Sequence, residues 1–449
     1  VNERLALWLR ATVYALRGGF LIRPFLIALV FGAAGALLSF GEERAPGLAA
    51  WIPEAMFPAR ADPQVAQTIL TVIAESIMTV VSIVFAILLM TLTLASTQFS
   101  PRILVSFVRD KATQWTLGIF LGTFSYCMAA LPATRSLPRA YVPVLTVMAA
   151  MALALVCVGW LIFFINHISR SISVNHIVDR IAGEAEMVID DLMPHTRGLY
   201  EGAERPPPTR EGRERVVPSP RSGYLRFVDV GFLVDRAKTF GVQIHLERRV
   251  GQFVPAGVAL MRVVDAGRVT PEREATLLSA IDIGPTRTMQ QDIEFGIIQL
   301  VDIALRAISP AVNDPTTAIN CIDQLARVMI VFAGRAPPPA HMHAPPHVLR
   351  LAMPWIDYEG LLDTAFEQIR HYARTDIAVS LRLLRAFDDM LAAGTSWTGQ
   401  RSLLERARRV VAGCERDLPG EDMSSLRRRL AGLEERARGL GFSTRDAAG

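Results

Sequence analysis

Apolar positions fall along this chain in two unlike patterns. Up to residue 165 they form four long runs, over residues 20–40, 68–95, 115–133 and 141–165, interrupted by charge only at Arg23 and Glu75. A helix crosses the hydrocarbon core of a bilayer with about 20 mostly apolar residues. Residues 1–165 are therefore predicted to form a four-helix transmembrane domain, with Trp115, Tyr141 and Trp160 near run ends as interfacial aromatics.

Beyond this point the runs shorten and become one-sided. Ile168, Ile172, Ile177, Ile181, Val188 and Leu192 keep helical spacing opposite Arg170, Asp179, Arg180, Glu184, Glu186 and Asp190. That pattern predicts a helix extending from the membrane over residues 166–195. Pro206, Pro207, Pro208, Pro218 and Pro220 mark 196–222 as a Pro-rich linker. Alternation at 225–228, 242–246 and 258–264, with Gly251 and Gly257 at turns, predicts a small mixed β domain over 223–270 that includes a short helix at 231–240. A helical hairpin region (271–334), a Pro/His-rich linker (335–350) and a C-terminal helical region (351–449) complete the chain. The expected fold class is an α-helical integral membrane protein with a mixed α+β, mostly helical cytoplasmic domain.

Charge supplies the orientation. Arg4, Arg10 and Arg17 precede the first run, and Arg102, Arg109 and Lys111 separate the second from the third. The opposite loops hold only Arg44 and Arg60, and Arg135 and Arg139. Positive residues stay on the cytoplasmic side, so both termini are expected there. The net charge of +4 is too small and too scattered for a nucleic-acid footprint. The four cysteines, Cys127, Cys157, Cys321 and Cys414, have no metal or redox spacing and read as small buried hydrophobes.

Three constellations carry candidate chemistry. In the second run Thr68, Thr71, Glu75, Thr79, Ser82 and Thr93 recur at helical intervals and share a face. Thr71, Glu75, Thr79, Ser82 and Thr93 are pore-lining candidates, with Glu75 meeting the cation; the competing reading is helix packing through small hydroxyl residues. Gln98, Phe99, Ser100, Pro101 and Arg102 form an interfacial elbow, Ser100 capping and Pro101 starting a short helix. Ser309, Pro310, Asn313, Asp314 and Pro315 separate two helices, Pro310 stopping one and Asp314 capping the next. Asp292, Glu294, Asp302, Asn320 and Asp323 lie close enough in sequence for a cation site to be considered, though without dedicated loop spacing. His341, His343 and His347 are read as linker residues. His167, His176 and His195 share no helical face and are read as ordinary polar residues. Small residues four apart (Ala28, Gly32 and Ala36; Gly118 and Gly122; Ala150 and Ala154) predict close helix approach. No phosphate loop, dinucleotide fingerprint, zinc-protease or nucleophile-elbow motif occurs, so neither enzymatic activity nor a cofactor is expected.

Two stretches carry a resemblance. Ser96-Thr97-Gln98-Phe99-Ser100-Pro101-Arg102, followed by Phe124-Ser125-Tyr126, and the run from Ser309 to Ala318 are similar to bacterial predicted membrane proteins filed as domain of unknown function 2254. Ser222-Gly223-Tyr224, Arg287-Thr288 and Gln291-Asp292 fit the same pattern. The resemblance implies a multi-pass protein of the bacterial inner membrane and implies no catalytic residues. Two functions are carried forward. One is a homo-oligomeric channel or transporter-like protein regulated by its cytoplasmic domain. The other is a non-transporting sensor or scaffold whose cytoplasmic domain recruits a protein or small ligand.

Overall fold

A computed structural model describes residues 22–45, 62–98, 110–134, 142–171, 173–193, 214–265, 267, 269–345, 348–394 and 397–440. The chain divides into two compact units, Val1–Ser173 and Val174–Gly449.

The first unit is a bundle of α1 (Ile22–Arg44), α2 (Pro63–Gln98), α3 (Lys111–Ala130) and α4 (Val144–Ser171). α3 is its centre: more than half of its apolar window is buried, against less than a fifth for each of the other three. Glycine makes that burial possible. A Cβ on Gly35 of α1 would lie 2.6 Å from the Tyr126 carbonyl oxygen, and Gly118 and Gly122 of α3 receive Ile27 and Phe31 of α1. Ala66, Leu70 and Ala74 of α2 pack with Tyr126, Cys127 and Val147. Further along, Ile77 and Val84 pack with Phe120, Cys157 and Phe164. The outer faces carry Phe25, Leu29 and Leu37 on α1, Phe85, Leu89 and Met90 on α2, and Leu155, Val158 and Ile162 on α4, all exposed. An apolar surface this continuous is stable against lipid and costly against water.

The second unit opens with α5 (Val174–Leu192). The predicted extending helix is not continuous: α4 ends at Ser171, Ser173 is non-helical, and α5 belongs to the second unit. Its buried stripe contains the predicted Ile177, Ile181 and Val188, together with Val178, Ala182, Ala185 and Ile189. The stripe packs on α8 (Ile293–Ala307) and α9 (Pro315–Ala333).

A mixed β region lies between these helices in sequence. It comprises β1 (Arg215–Pro218), β2 (Gly223–Val228), α6 (Val230–Phe240), β3 (Gln243–Leu246), β4 (Phe253–Val254), β5 (Ala259–Val264), α7 (Pro271–Ser279) and β6 (Ile281–Gly284). Two further strands, β7 (His341–Ala344) and β8 (Val348–Ala352), follow α9. The five-stranded sheet has the order β1-β5-β3-β8-β7, and the three-stranded sheet β4-β2-β6. All pairings are antiparallel except β3 with β8, where Ile244 lies against Leu351.

Two expectations are corrected here. Much of the predicted 335–350 linker is strand, because alternation in Val348–Ala352 puts Leu349 and Leu351 into the core while Pro337, Pro338 and Pro339 stay outside the ladder. β1 lies inside the predicted 196–222 linker, because Val217 is fully buried in the same sheet.

The remaining helices are α10 (Tyr358–Leu362) and α11 (Gln368–Tyr372), joined by a π-helical turn at Asp363–Glu367, then α12 (Ile377–Ala392), α13 (Trp397–Cys414) and α14 (Gly420–Gly439). Five described helices are long and apolar enough to cross a membrane: α1 to α4 and also α9. α9 packs against α5, α8 and α12 within the second unit. Its charges have partners there: Asp323 pairs with Arg382, and Arg327 with Asp179 and Glu186.

Candidate functional site

The two faces of α2 differ in kind. Ala66, Leu70, Ala74, Ile77, Val84 and Thr91 point into the bundle and are buried. On the other side Glu75, Thr79, Ser82 and Thr93 are exposed, and Thr71 is half-buried. The sequence-predicted stripe therefore faces away from its own bundle. Its hydroxyls are spent locally: Thr79 donates to the Glu75 carbonyl at 3.0 Å, Ser82 to Met78 at 3.0 Å and Thr93 to Leu89 at 2.9 Å. Such back-bonding satisfies a hydroxyl in an apolar medium without any partner helix. Glu75 differs. Among the described residues its carboxylate has no hydrogen-bond or ion-pair partner. It lies nine residues past Ala66, or about 13 Å along the helix axis, at the junction of the two packed clusters.

Two other carboxylates in this unit are fully engaged. Glu42, 2% exposed, accepts from the Leu145 N–H at 2.9 Å and from the Thr146 N–H and hydroxyl at 3.1 and 3.0 Å. It thereby caps α4 from the end of α1, placing negative charge at a helix N-terminus. Tyr126 donates to the Thr146 carbonyl at 3.1 Å in the same cluster. At the opposite end of α4, His167 lies 3.0 Å from Asp110, which also caps α3 through the Thr113 N–H. His167 is thus a built contact and not the ordinary polar residue that its spacing implied. Thr146 and His167 are separated by about 31 Å of helix, close to the hydrocarbon thickness. Carboxylate contacts thus mark both ends of α4, while Thr123 contacts Cys157 at 3.2 Å within the bundle.

Of the predicted elbow, Gln98 closes α2, while Phe99, Ser100, Pro101 and Arg102 lie outside the described residues. The 309–315 motif is an exposed turn. The Val312 and Asn313 N–H groups donate to the Ser309 carbonyl, Asn313 adopts φ +50°, and Asp314 caps α9 through the Thr317 N–H at 3.1 Å and hydroxyl at 2.6 Å. The Thr317 hydroxyl bond holds the Asp314 carboxyl below its ordinary range. The acidic residues around this turn do not converge. Asn320 bonds Asn175 and Asp323 bonds Arg382.

Asp292 and Glu294 belong to an arginine clamp instead. Arg287 contacts Asp292 at 2.7 Å and Glu294 at 2.8 Å, Arg249 contacts Glu294 at 3.0 Å, and Thr364 donates to Glu294 at 3.2 Å. The clamp ties the β region to α8 and to the π turn. It also explains Gly251, whose φ is +89° and whose Cβ would fall 2.5 Å from Asp292. Burial works against the charge on Glu294, but hydrogen bonds from Arg249 and Arg287 outweigh it and hold the carboxyl below its usual range. Gln291 docks on β2 beside the clamp, accepting from the Val228 N–H and donating to its carbonyl.

Among the described residues no group of three or more His, Cys, Asp and Glu is arranged to hold a metal ion. His341 and His343 lie in β7, and His347 falls outside the described residues. All four cysteines are buried thiols.

The model of the family described as Predicted membrane protein (DUF2254) matches residues 17–389, ending within α12. Two relatives, "Uncharacterized protein Rv1290c" of Mycobacterium tuberculosis and "Uncharacterized protein Mb1321c" of Mycobacterium bovis, are each 33% identical over 383 residues. That covers 84% of this chain and 72% of theirs. No solved structure matches the chain.

Proposed function

Since this chain belongs to the DUF2254 family of predicted membrane proteins, we propose that it is a non-enzymatic, homo-oligomeric channel or transporter-like protein of the bacterial inner membrane. In this reading α1 to α4 span the bilayer. α9 remains in the second unit, which lies in the cytoplasm with both termini and regulates the membrane unit.

The observation that carries the proposal is the placement of Glu75 on the face of α2 that its own bundle leaves uncovered. An ionisable side chain facing hydrocarbon costs several kcal/mol, roughly 3 or more at mid-helix. The cost disappears when the face meets water or a second copy of the chain. An oligomer that brings several α2 faces together around a polar path supplies both. Glu75 then presents negative charge to a passing cation, while Thr79, Ser82 and Thr93 let the helices approach.

The test is ion flux in proteoliposomes containing the purified full chain. Wild type conducts cations, and Glu75→Gln lowers that flux about tenfold without changing the oligomer. No flux of any ion, at any voltage or membrane tension, rejects transport. A second reading has its own support, because back-bonded hydroxyls make a better packing surface than a water-lined one. In that case copies associate through the same face, cross-link through Ser82→Cys, and conduct nothing. The protein is then a sensor or scaffold whose second unit holds a cytoplasmic partner.

A further inference from the structure

The second unit has a basic groove that the predicted sites leave out. It lies between α9, α12 and α14 and has a volume of about 660 Å³. Its lining includes Arg382 and Arg385 of α12 and Arg428, Arg429 and Arg436 of α14. Arg382 and Arg385 are three apart and Arg429 and Arg436 seven apart, with Arg428 adjacent, so each helix turns arginines toward the gap.

Three of the guanidiniums have carboxylate partners: Arg382 with Asp323, Arg385 with Asp389, and Arg436 with Asp388. Arg428 and Arg429 have none among the described residues. Five cations thus stand against three partner carboxylates, of which Asp388 lines the groove, leaving an excess of two positive charges. Ordinary solvated arginines do not converge in this way, because each added cation raises the energy of the others. The floor is different in character. Ile319, Leu381 and Leu433 line it, Leu433 is 1% exposed, and no atom lies within 4 Å of where a Cβ on Gly432 would be. The space is therefore open, apolar at its base and cationic at its rim. Its volume falls in the range of small-molecule sites.

We propose that this groove binds a phosphate-bearing organic anion, its phosphates held by Arg428 and Arg429 and its apolar portion seated on Ile319 and Leu381. A guanidinium offers paired N–H donors in a plane that matches two phosphate oxygens, and such charge-assisted bonds are about twice as strong as neutral ones. A soluble nucleotide and the headgroup of an anionic lipid both present this chemistry. Three of the five arginines lie beyond residue 389, where the family match ends.

The experiment uses the full chain in phosphatidylcholine nanodiscs, with ATP as the soluble probe and phosphatidylglycerol added to the bilayer as the lipid probe. Binding is measured for wild type, for the double variant Arg428→Gln/Arg429→Gln, and for Arg427→Gln. Arg427 is on α14 but pairs with Glu415 at 3.1 Å and does not line the groove. Saturable ATP binding that weakens about tenfold or more in the double variant, and not in Arg427→Gln, supports the proposal with a soluble ligand. Retention of phosphatidylglycerol with the same variant pattern supports it with a lipid. Because Arg428 and Arg429 have no ion pair among the described residues, the double variant is expected to keep the wild-type melting temperature. The proposal is overturned if wild type binds neither probe, or if the double variant binds as wild type does.

Discussion

The Glu42 carboxylate accepts hydrogen bonds from the backbone and hydroxyl of Thr146, a residue 104 positions away, and so serves as the N-terminal cap of a helix it does not belong to. The first turn of α4 would otherwise bury donors without acceptors, in a unit whose surface is almost wholly apolar.

Removing that acceptor should destabilise the bundle as a whole. Glu42→Ala leaves two N–H groups and one hydroxyl unsatisfied, at about 1–3 kcal/mol for each buried group. Glu42→Gln keeps one acceptor oxygen and is expected to fall between the two. The measurement is thermal unfolding in detergent. Equal melting temperatures for wild type and Glu42→Ala would show that the cap contributes nothing.

Close approach of α1 to α3 gives a second expectation. In Gly35→Ala the new methyl group would meet the Tyr126 carbonyl at 2.6 Å, so the helices must separate, at about 1–3 kcal/mol. Gly41, on the same helix, has nothing within 4 Å. Gly41→Ala is therefore neutral or stabilising by up to about 1 kcal/mol, through backbone entropy. Side-by-side melting of the two variants separates packing from propensity.

The arginine clamp predicts an acid dependence in the second unit. The folded state holds Glu294 below its ordinary value of 4.5. The stability this contributes is fully present above that value and is lost as pH falls through the lower, folded one. At neutral pH Glu294→Gln should cost roughly 2–4 kcal/mol, since Arg249 and Arg287 keep their charge in a half-buried site. The gap between variant and wild type should close as pH drops below 4.5. Denaturant unfolding across the acid range reads this directly, and a constant gap contradicts it.

Some of the candidate chemistry was legible early and some was not. The spacing of Thr71, Glu75, Thr79 and Ser82 shows that they share a face, but periodicity cannot say which way a face points. Only packing of Ala66, Leu70 and Ala74 against α3 turns it outward. Asp292 and Glu294 looked like oxygen ligands because spacing does not show which side chains pair: Arg287 lies 5 positions before Asp292, and Arg249 lies 45 positions before Glu294. The arginines of α12 and α14 carry no signal in sequence, because the two groups are about 40 positions apart and only the packing of these helices brings them to one groove.

The sequence alone determined the membrane character of the first unit, because uninterrupted apolar length acts locally and needs no partner to be recognised. It also carries the signal for six helix starts, since Asp110, Asp229, Asp292, Asp314, Asp357 and Asp376 each cap the helix that follows. Tertiary structure decided the rest: that β7 and β8 join the sheet begun at Arg215, that Glu42 caps α4, and that Glu75 has no partner among the described residues. These are contacts between distant parts of the chain, and their free energy depends on which surfaces meet, a quantity that no local pattern encodes.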